Sequence, residues 1–276
     1  MKTRTLTALV LTLICVPILI FSEYVVYPIF ISLLSLVAIF EIMNCLGLLK
    51  KYALTIPAAL FAAAMPILTF VFGNGKIFGT ALICFTASFV LMLYYFTLAV
   101  FARGKLKFLS VAAAYVLTVY VTVSFTALTA LRYVPAGLFN FLLVFIGAWS
   151  CDTFAYIFGS RFGKHKLIPE ISPKKTVEGS IGGIASAMLI FAIYGLILDF
   201  ATELSVNYLT LLVSGFLITV IAQIGDLIAS LVKRECGIKD YGKLFPGHGG
   251  VMDRFDSILA VSMPLLLLCL TYPPFS

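Results

Sequence analysis

Residues 207–232 read NYLTLLVSGFLITVIAQIGDLIASLV. Across these 26 residues Asp226 is the sole charge, and no proline interrupts the run. A helix crosses the hydrocarbon core of a bilayer with about 20 apolar residues, so the stretch predicts a membrane-spanning helix. A barrel strand would alternate in hydropathy over roughly 10 residues, and this run does not alternate. A carboxylate inside such a helix is costly and faces a bundle interior or a wet cavity. The same 26 residues therefore predict the fold and raise the question of what Asp226 does.

Outward from this run, eight more are long and apolar enough to span: roughly 5–22, 24–43, 53–72, 77–101, 108–131, 137–158, 179–198 and 257–273. The expected fold is all-α, a polytopic membrane bundle of about nine helices. Composition agrees. Of 276 residues, 62% are hydrophobic and 11% charged, with a mean hydropathy of +1.12, where a soluble domain carries roughly 25% charged residues. A large soluble domain is excluded. The net charge of +7 suits either nucleic acid or an anionic membrane surface. Because the basic residues lie between apolar runs rather than in a basic domain, the bilayer is the expected partner and nucleic acid is not.

Lys2 and Arg4 precede an apolar run from Leu6 to Phe21. It ends in FSEYVV with no small-x-small cleavage site, so it is expected to be a retained first span rather than a signal peptide. With the N-terminus in the cytoplasm and nine alternating spans, seventeen of the nineteen Lys and Arg fall inside, leaving Lys76 and Arg132 outside. That is the positive-inside bias of a multi-pass protein of the cytoplasmic membrane, with its C-terminus outside. The expected division is residues 1–135, holding about five N-terminal spans, and residues 136–276, holding about four spans and two cytoplasmic loops, 159–178 and 233–256. Pro57 and Pro66 fall inside the third span, where neighbouring helices can tolerate them. The stretch GSIGGIASA, Gly179 to Ala187, suits close helix packing. The six cysteines show no C-x-x-C pair and read as small apolar residues.

Polar chemistry concentrates in few places. Asp152, in AWSCDTFAY, and Asp226 each lie about six or seven residues before the expected cytoplasmic end of their span, roughly 10 Å deep. Glu41, near the inner end of the 24–43 run, is the weakest candidate among the intramembrane acids. In MDRFD, Asp253 and Asp256 are three apart and would share a face if the segment is helical. Two like-charged carboxylates so close need a cation or a shared proton. With Asp226 they can form an all-oxygen site for a hard cation such as Mg²⁺. The preceding PGHGG, Pro246 to Gly250, cannot be helical, and its glycines allow backbone amides to approach an anion. Lys233, Arg234, Lys239 and Lys243 lead into it. Lysines, amides and metal-binding carboxylates together handle phosphate. His248 can donate to a phosphate, carry a proton, or cap the turn. In ISPKKTVEG, the hydroxyls of Ser172 and Thr176 and the charges of Lys174 and Lys175 suit either a phosphate clamp or a basic bilayer rim. His165 reads as a surface residue.

The stretch SLVKRECGIKDYGKLFPGHGGVMDRFD, Ser230 to Asp256, resembles the signature of the phosphatidate cytidylyltransferases (CDP-diacylglycerol synthases) throughout its 27 residues. DTFAYxxGxxxG from Asp152 and SPKKTxEG from Ser172 also look like that family. The resemblance is dense over about 147–258; before that, only size and hydropathy agree. It implies the reaction of CTP with phosphatidate to give CDP-diacylglycerol and pyrophosphate, with Mg²⁺ alone or beside a second cation, and a homodimer. The implied catalytic residues are Asp226, Asp253, Asp256, Lys239 and His248, the three aspartates holding metal. The implied substrate-binding residues are Asp152, Ser172, Lys174, Lys175, Thr176, Lys233, Arg234, Gly247, Gly249, Gly250 and Arg254.

Rival readings fit less well. A transporter of a phosphorylated substrate would place polar groups at the midplane with access from both sides, whereas here they gather toward one side. A polyprenyl-phosphate transferase would show two separate aspartate-rich motifs, and one is present. The CDP-alcohol phosphotransferase pattern DGx2ARx8Gx3Dx3D is absent. A purely structural membrane protein has no use for aspartates inside its spans.

Overall fold

The computed structural model describes residues 13, 17–18, 21–73 and 77–275. The expected first span, 5–22, and Lys76 therefore lie largely outside the described residues. Eight helices follow: α1 (Val26–Cys45), α2 (Tyr52–Gly73), α3 (Ile77–Phe101), α4 (Phe108–Ala130), α5 (Gly137–Phe162), α6 (Val177–Ala201), α7 (Tyr208–Glu235) and α8 (Met252–Thr271). They match the second to ninth apolar runs. All eight are long and apolar enough to cross a bilayer, and the protein is a multi-pass α-helical membrane protein. Between α5 and α6 the expected loop contains a two-stranded antiparallel hairpin, β1 (Lys166–Ile168) and β2 (Ser172–Thr176), pairing Lys166 with Thr176 and Ile168 with Ser172.

Helix ends differ from the apolar edges in a consistent way. α5 continues to Phe162 and α7 to Glu235, with Arg161 in the last turn of one and Lys233 and Arg234 in the last turn of the other. Cations complement the negative C-terminal end of a helix dipole, so basic residues prolong these helices beyond their greasy stretch. α8 begins at Met252 with Asp253 in its first turn, the favourable end for an acid. MDRFD is thus helical, and Asp253 and Asp256 stand one turn apart on it.

The chain forms two compact units. The first comprises Met1–Ala130 and Cys236–Arg254, the second Leu131–Glu235 and Phe255–Ser276. In the first unit α1, α2 and α4 bury Ala38, Ile39, Ile42, Ala58, Ala62, Val121 and Phe125. Pro57 and Pro66 lie within a continuous α2. A proline removes an amide donor and disturbs the carbonyls one turn before it. Here the carbonyl three residues before each proline accepts a hydroxyl from a neighbouring helix: Tyr95 Oη donates to Leu54 O (2.6 Å) and Ser32 Oγ to Ala63 O (2.6 Å). In the second unit α5 and α6 approach at backbone distance. A Cβ on Gly183 would sit 2.8 Å from the carbonyl oxygen of Cys151, so the small-residue stretch serves packing. Thr176 Oγ1 accepts from Gly179 N (3.1 Å) and caps α6. The five described cysteines, Cys45, Cys84, Cys151, Cys236 and Cys269, are free thiols.

Candidate functional site

In the second unit three helices contribute one aspartate each. Asp226 from α7, Asp152 from α5 and Lys233 from the last turn of α7 lie within electrostatic reach of Asp256 on α8. Lys175, at the end of β2, places Nζ 2.6 Å from Asp226 Oδ2, and Ser230 Oγ lies 3.5 Å from Asp226 Oδ1. Asp256 Oδ1 accepts from its neighbour's amide, Ser257 N, at 2.8 Å. Three carboxylates face two lysines, so the cluster keeps an excess of negative charge. The Lys175 and Asp226 side chains are each about one quarter exposed, while Nζ itself is buried against the carboxylate.

One turn before Asp226, Gln223 joins three helices beneath these acids. Its amide donates to Cys151 Sγ of α5 (3.2 Å) and to Ser180 O of α6 (3.3 Å), and its carbonyl takes the Ser180 hydroxyl. A buried carboxamide in a membrane helix needs such partners. Sequence reasoning passed over Gln223. Its signal was a polar residue three positions before Asp226 in an otherwise apolar run.

In the first unit the glycine-rich stretch forms a tight loop. Phe245 N donates to Gly249 O (2.9 Å), while His248 N and Gly249 N donate to Phe245 O (2.8 and 3.1 Å). Gly247 and Gly249 take left-handed φ of 77° and 86°, a region that L side chains avoid. The loop borders a cavity of about 770 Å³ whose lining includes Lys239, Lys243, Arg254, Gly247, His248 and Gly249. His248 Nδ1 is buried and meets no hydrogen-bond partner among the described residues. Asp240 is the one acid among the lining residues, so the cavity suits an anion.

Beneath the loop two carboxylates take the backbone. Asp253 Oδ2 accepts from Tyr241 N (2.8 Å) and Gly250 N (3.0 Å). Glu41, on α1, accepts from Val251 N at Oε1 (3.0 Å) and Met252 N at Oε2 (2.9 Å). The amides of residues 248–252 therefore all donate within the protein. Lys239, Lys243, Arg254 and His248 are what the cavity offers an anion, rather than those amides. Glu41 is the second residue that sequence reasoning undervalued.

The remaining expected residues take separate places. Lys174 is exposed and Ser172 half-buried on β2, Thr176 is buried as the cap of α6, and Arg234 is exposed in the last turn of α7. Among the described residues, no three His, Cys, Asp or Glu side chains converge closely enough to hold an ion. The donor chemistry still suits a hard cation: Asp226 and Asp152 are oxygen ligands of like charge, each within electrostatic reach of Asp256. Asp253, expected as the third ligand, has Oδ2 engaged by two amides.

The family model described as "Cytidylyltransferase family" matches residues 2–272. The chain is similar to "Phosphatidate cytidylyltransferase" of Staphylococcus haemolyticus (strain JCSC1435), 35% identical over 268 residues, covering 96% of this chain and 97% of the relative. It is 37% identical over 273 residues to the protein of the same name from Staphylococcus epidermidis (strain ATCC 12228 / FDA PCI 1200), with the same coverage. The Staphylococcus aureus (strain COL) protein of that name is 33% identical over 268 residues, again covering 96% and 97%. The match thus runs through the N-terminal helices and not only through the glycine-rich signature. The chain belongs to the cytidylyltransferase family.

Proposed function

We propose that this protein is a phosphatidate cytidylyltransferase: CTP and phosphatidate give CDP-diacylglycerol and pyrophosphate, a step of phospholipid biosynthesis. The observation that carries the reading is the gathering of Asp152, Asp226 and Asp256 with Lys175 and Lys233, in a chain whose family match runs nearly end to end. Phosphatidate already carries an ionised phosphate and needs little help from a base. Its oxygen attacks the α-phosphorus of CTP in line, the new P–O bond forms, the bond to the β-phosphate oxygen breaks, and pyrophosphate leaves with the electron pair. The obstacle is bringing two polyanions together, which positioning and charge neutralisation overcome.

Roles follow residue by residue. Lys239, Lys243 and Arg254 hold phosphate oxygens, and His248 donates to one of them. Lys175 and Lys233 neutralise substrate charge, and Lys174 and Arg234 add to the basic rim. Asp226 and Asp256 would hold Mg²⁺, with Asp152 beside them; whether Asp253 also ligates is what an Asn variant there tests. When bound, Mg²⁺ supplies Lewis-acid polarisation of the phosphoryl oxygens and neutralises developing charge. The protein sits in the cytoplasmic membrane with this chemistry facing the cytoplasm, a reading that the distribution of Lys and Arg supports.

The test is formation of CDP-diacylglycerol by the purified full chain in mixed micelles from radiolabelled CTP and phosphatidate. Product that requires phosphatidate, and that diacylglycerol does not replace, is expected. No product from folded protein would remove the reading. The leading alternative, a transporter for a phosphorylated substrate, would then be tested by uptake into proteoliposomes.

A further inference from the structure

Glu41 is a buried acid for which the reaction has no direct use. It is 8% exposed, lies within a helix of membrane-spanning length, and among the described residues has no Lys, Arg or His within ion-pair distance. A buried carboxylate without a cation survives only if fully hydrogen-bonded. Its partners are the amides of Val251 and Met252, 210 and 211 residues away in sequence. They sit at the N-terminus of α8, where unpaired amides and the helix dipole favour an anion.

The surroundings are shaped to admit this carboxylate. A Cβ on Gly250 or on Gly242 would run into the Glu41 carboxylate. Both positions have to remain bare for Glu41 to reach the helix end. With Asp253, Glu41 fixes the amides of Tyr241, Gly250, Val251 and Met252. These four bracket residues 242–249, which supply Lys243, His248 and the glycines of the anion cavity.

We infer that Glu41 is a positioning residue: through Val251 and Met252 it sets the glycine-rich loop in the shape that binds the nucleotide phosphates. The α1 helix thereby takes part in substrate binding without touching substrate. Naming the nucleotide as the loop's ligand rests on the cytidylyltransferase reading; the ordering of the loop by Glu41 does not.

Glu41→Gln replaces one acceptor with an amide donor facing two backbone donors. Two readouts on the full chain in detergent test the role. The first is hydrogen exchange by mass spectrometry: amides of residues 239–252 are expected to exchange at least about tenfold faster, the scale of losing one charged hydrogen bond, while α5–α7 peptides stay unchanged. The second is kinetic: the KM for CTP is expected to rise about tenfold on the same scale, with the phosphatidate KM unchanged and partial recovery in Glu41→Asp. A merely structural role would lower specific activity with the folded fraction and leave KM alone. Unchanged loop exchange, or an unchanged CTP KM, would overturn the inference. If Glu41→Gln does not unfold cooperatively, Glu41→Asp carries both readouts, with the same signs and smaller shifts. Absence of cytidylyl transfer in the unsubstituted chain would strike the proposed function instead, and the exchange result would still decide what Glu41 does.

Discussion

Two sets of carboxylates contrast in this molecule: Glu41 and Asp253 are buried, Asp226 and Asp256 half-buried, and Asp152 exposed. In the first unit Glu41 and Asp253 are satisfied by backbone amides, four donors shared between two side chains. In the second unit Asp152, Asp226 and Asp256 are balanced by the long, movable side chains of Lys175 and Lys233. An amide partner is fixed by the chain and does not leave, so the first pair shapes the protein. Under the proposed reaction a lysine turns to a phosphate and leaves its aspartate to a cation, so the second cluster would exchange partners. The difference teaches that an acid in a membrane helix is not by itself a catalytic signal; its partners decide.

The strongest way to break that comparison is to neutralise one acid of the exchanging cluster. Asp226→Asn and Asp256→Asn are each expected to lower turnover by about a thousandfold or more, the scale of losing several kcal/mol of charge stabilisation at a metal site. Thermal unfolding should change little for Asp256→Asn, where relief of like-charge repulsion dominates, and should fall for Asp226→Asn, which also breaks the Lys175 pair. Wild-type rates in either variant would contradict the division of labour.

A smaller effect is expected on the fixed pair's side. Gly250→Ala drives a Cβ into the Glu41 carboxylate and is expected to destabilise by about 1–3 kcal/mol, as overpacking does, with the loss visible in the thermal midpoint. Gly247→Ala would test φ instead of space, since the strain there comes from the backbone. A Gly250→Ala protein of unchanged midpoint would mean that the loop is not held against Glu41. Smallest of all, Thr176→Ala removes the α6 cap and is expected to cost about 1 kcal/mol of stability while leaving kcat within a few-fold. A larger fall in kcat than in stability would move Thr176 from capping into substrate binding.

Eight helices were legible in the sequence because a bilayer imposes length and hydropathy on every span, and that signal is local. Helix ends were less legible. Arg161, Lys233 and Arg234 are polar, yet they prolong α5 and α7 because the end of a helix dipole welcomes them. The hairpin at 166–176 left no apolar pattern long enough to read. For the site, Asp152, Asp226, Asp256 and Lys175 stood out as charges in or beside apolar runs, and the signature around the glycine-rich loop was dense. Glu41 was undervalued for a physical reason: its partners are amides 210 residues away, and no side-chain pattern announces a backbone contact. Asp253, expected as a metal ligand from its spacing to Asp256, has Oδ2 engaged by Tyr241 and Gly250, a backbone contact that its spacing could not announce. Gln223 was hidden because a carboxamide carries no charge to notice.

The most direct test of the central claim sets the unsubstituted protein beside Asp226→Asn in one assay of CDP-diacylglycerol formation, with Mg²⁺ first chelated and then restored. The account predicts product from the unsubstituted protein only when Mg²⁺ is restored, and essentially none from Asp226→Asn at any Mg²⁺ concentration. Equal product from both proteins, or product undiminished by chelation, would contradict it.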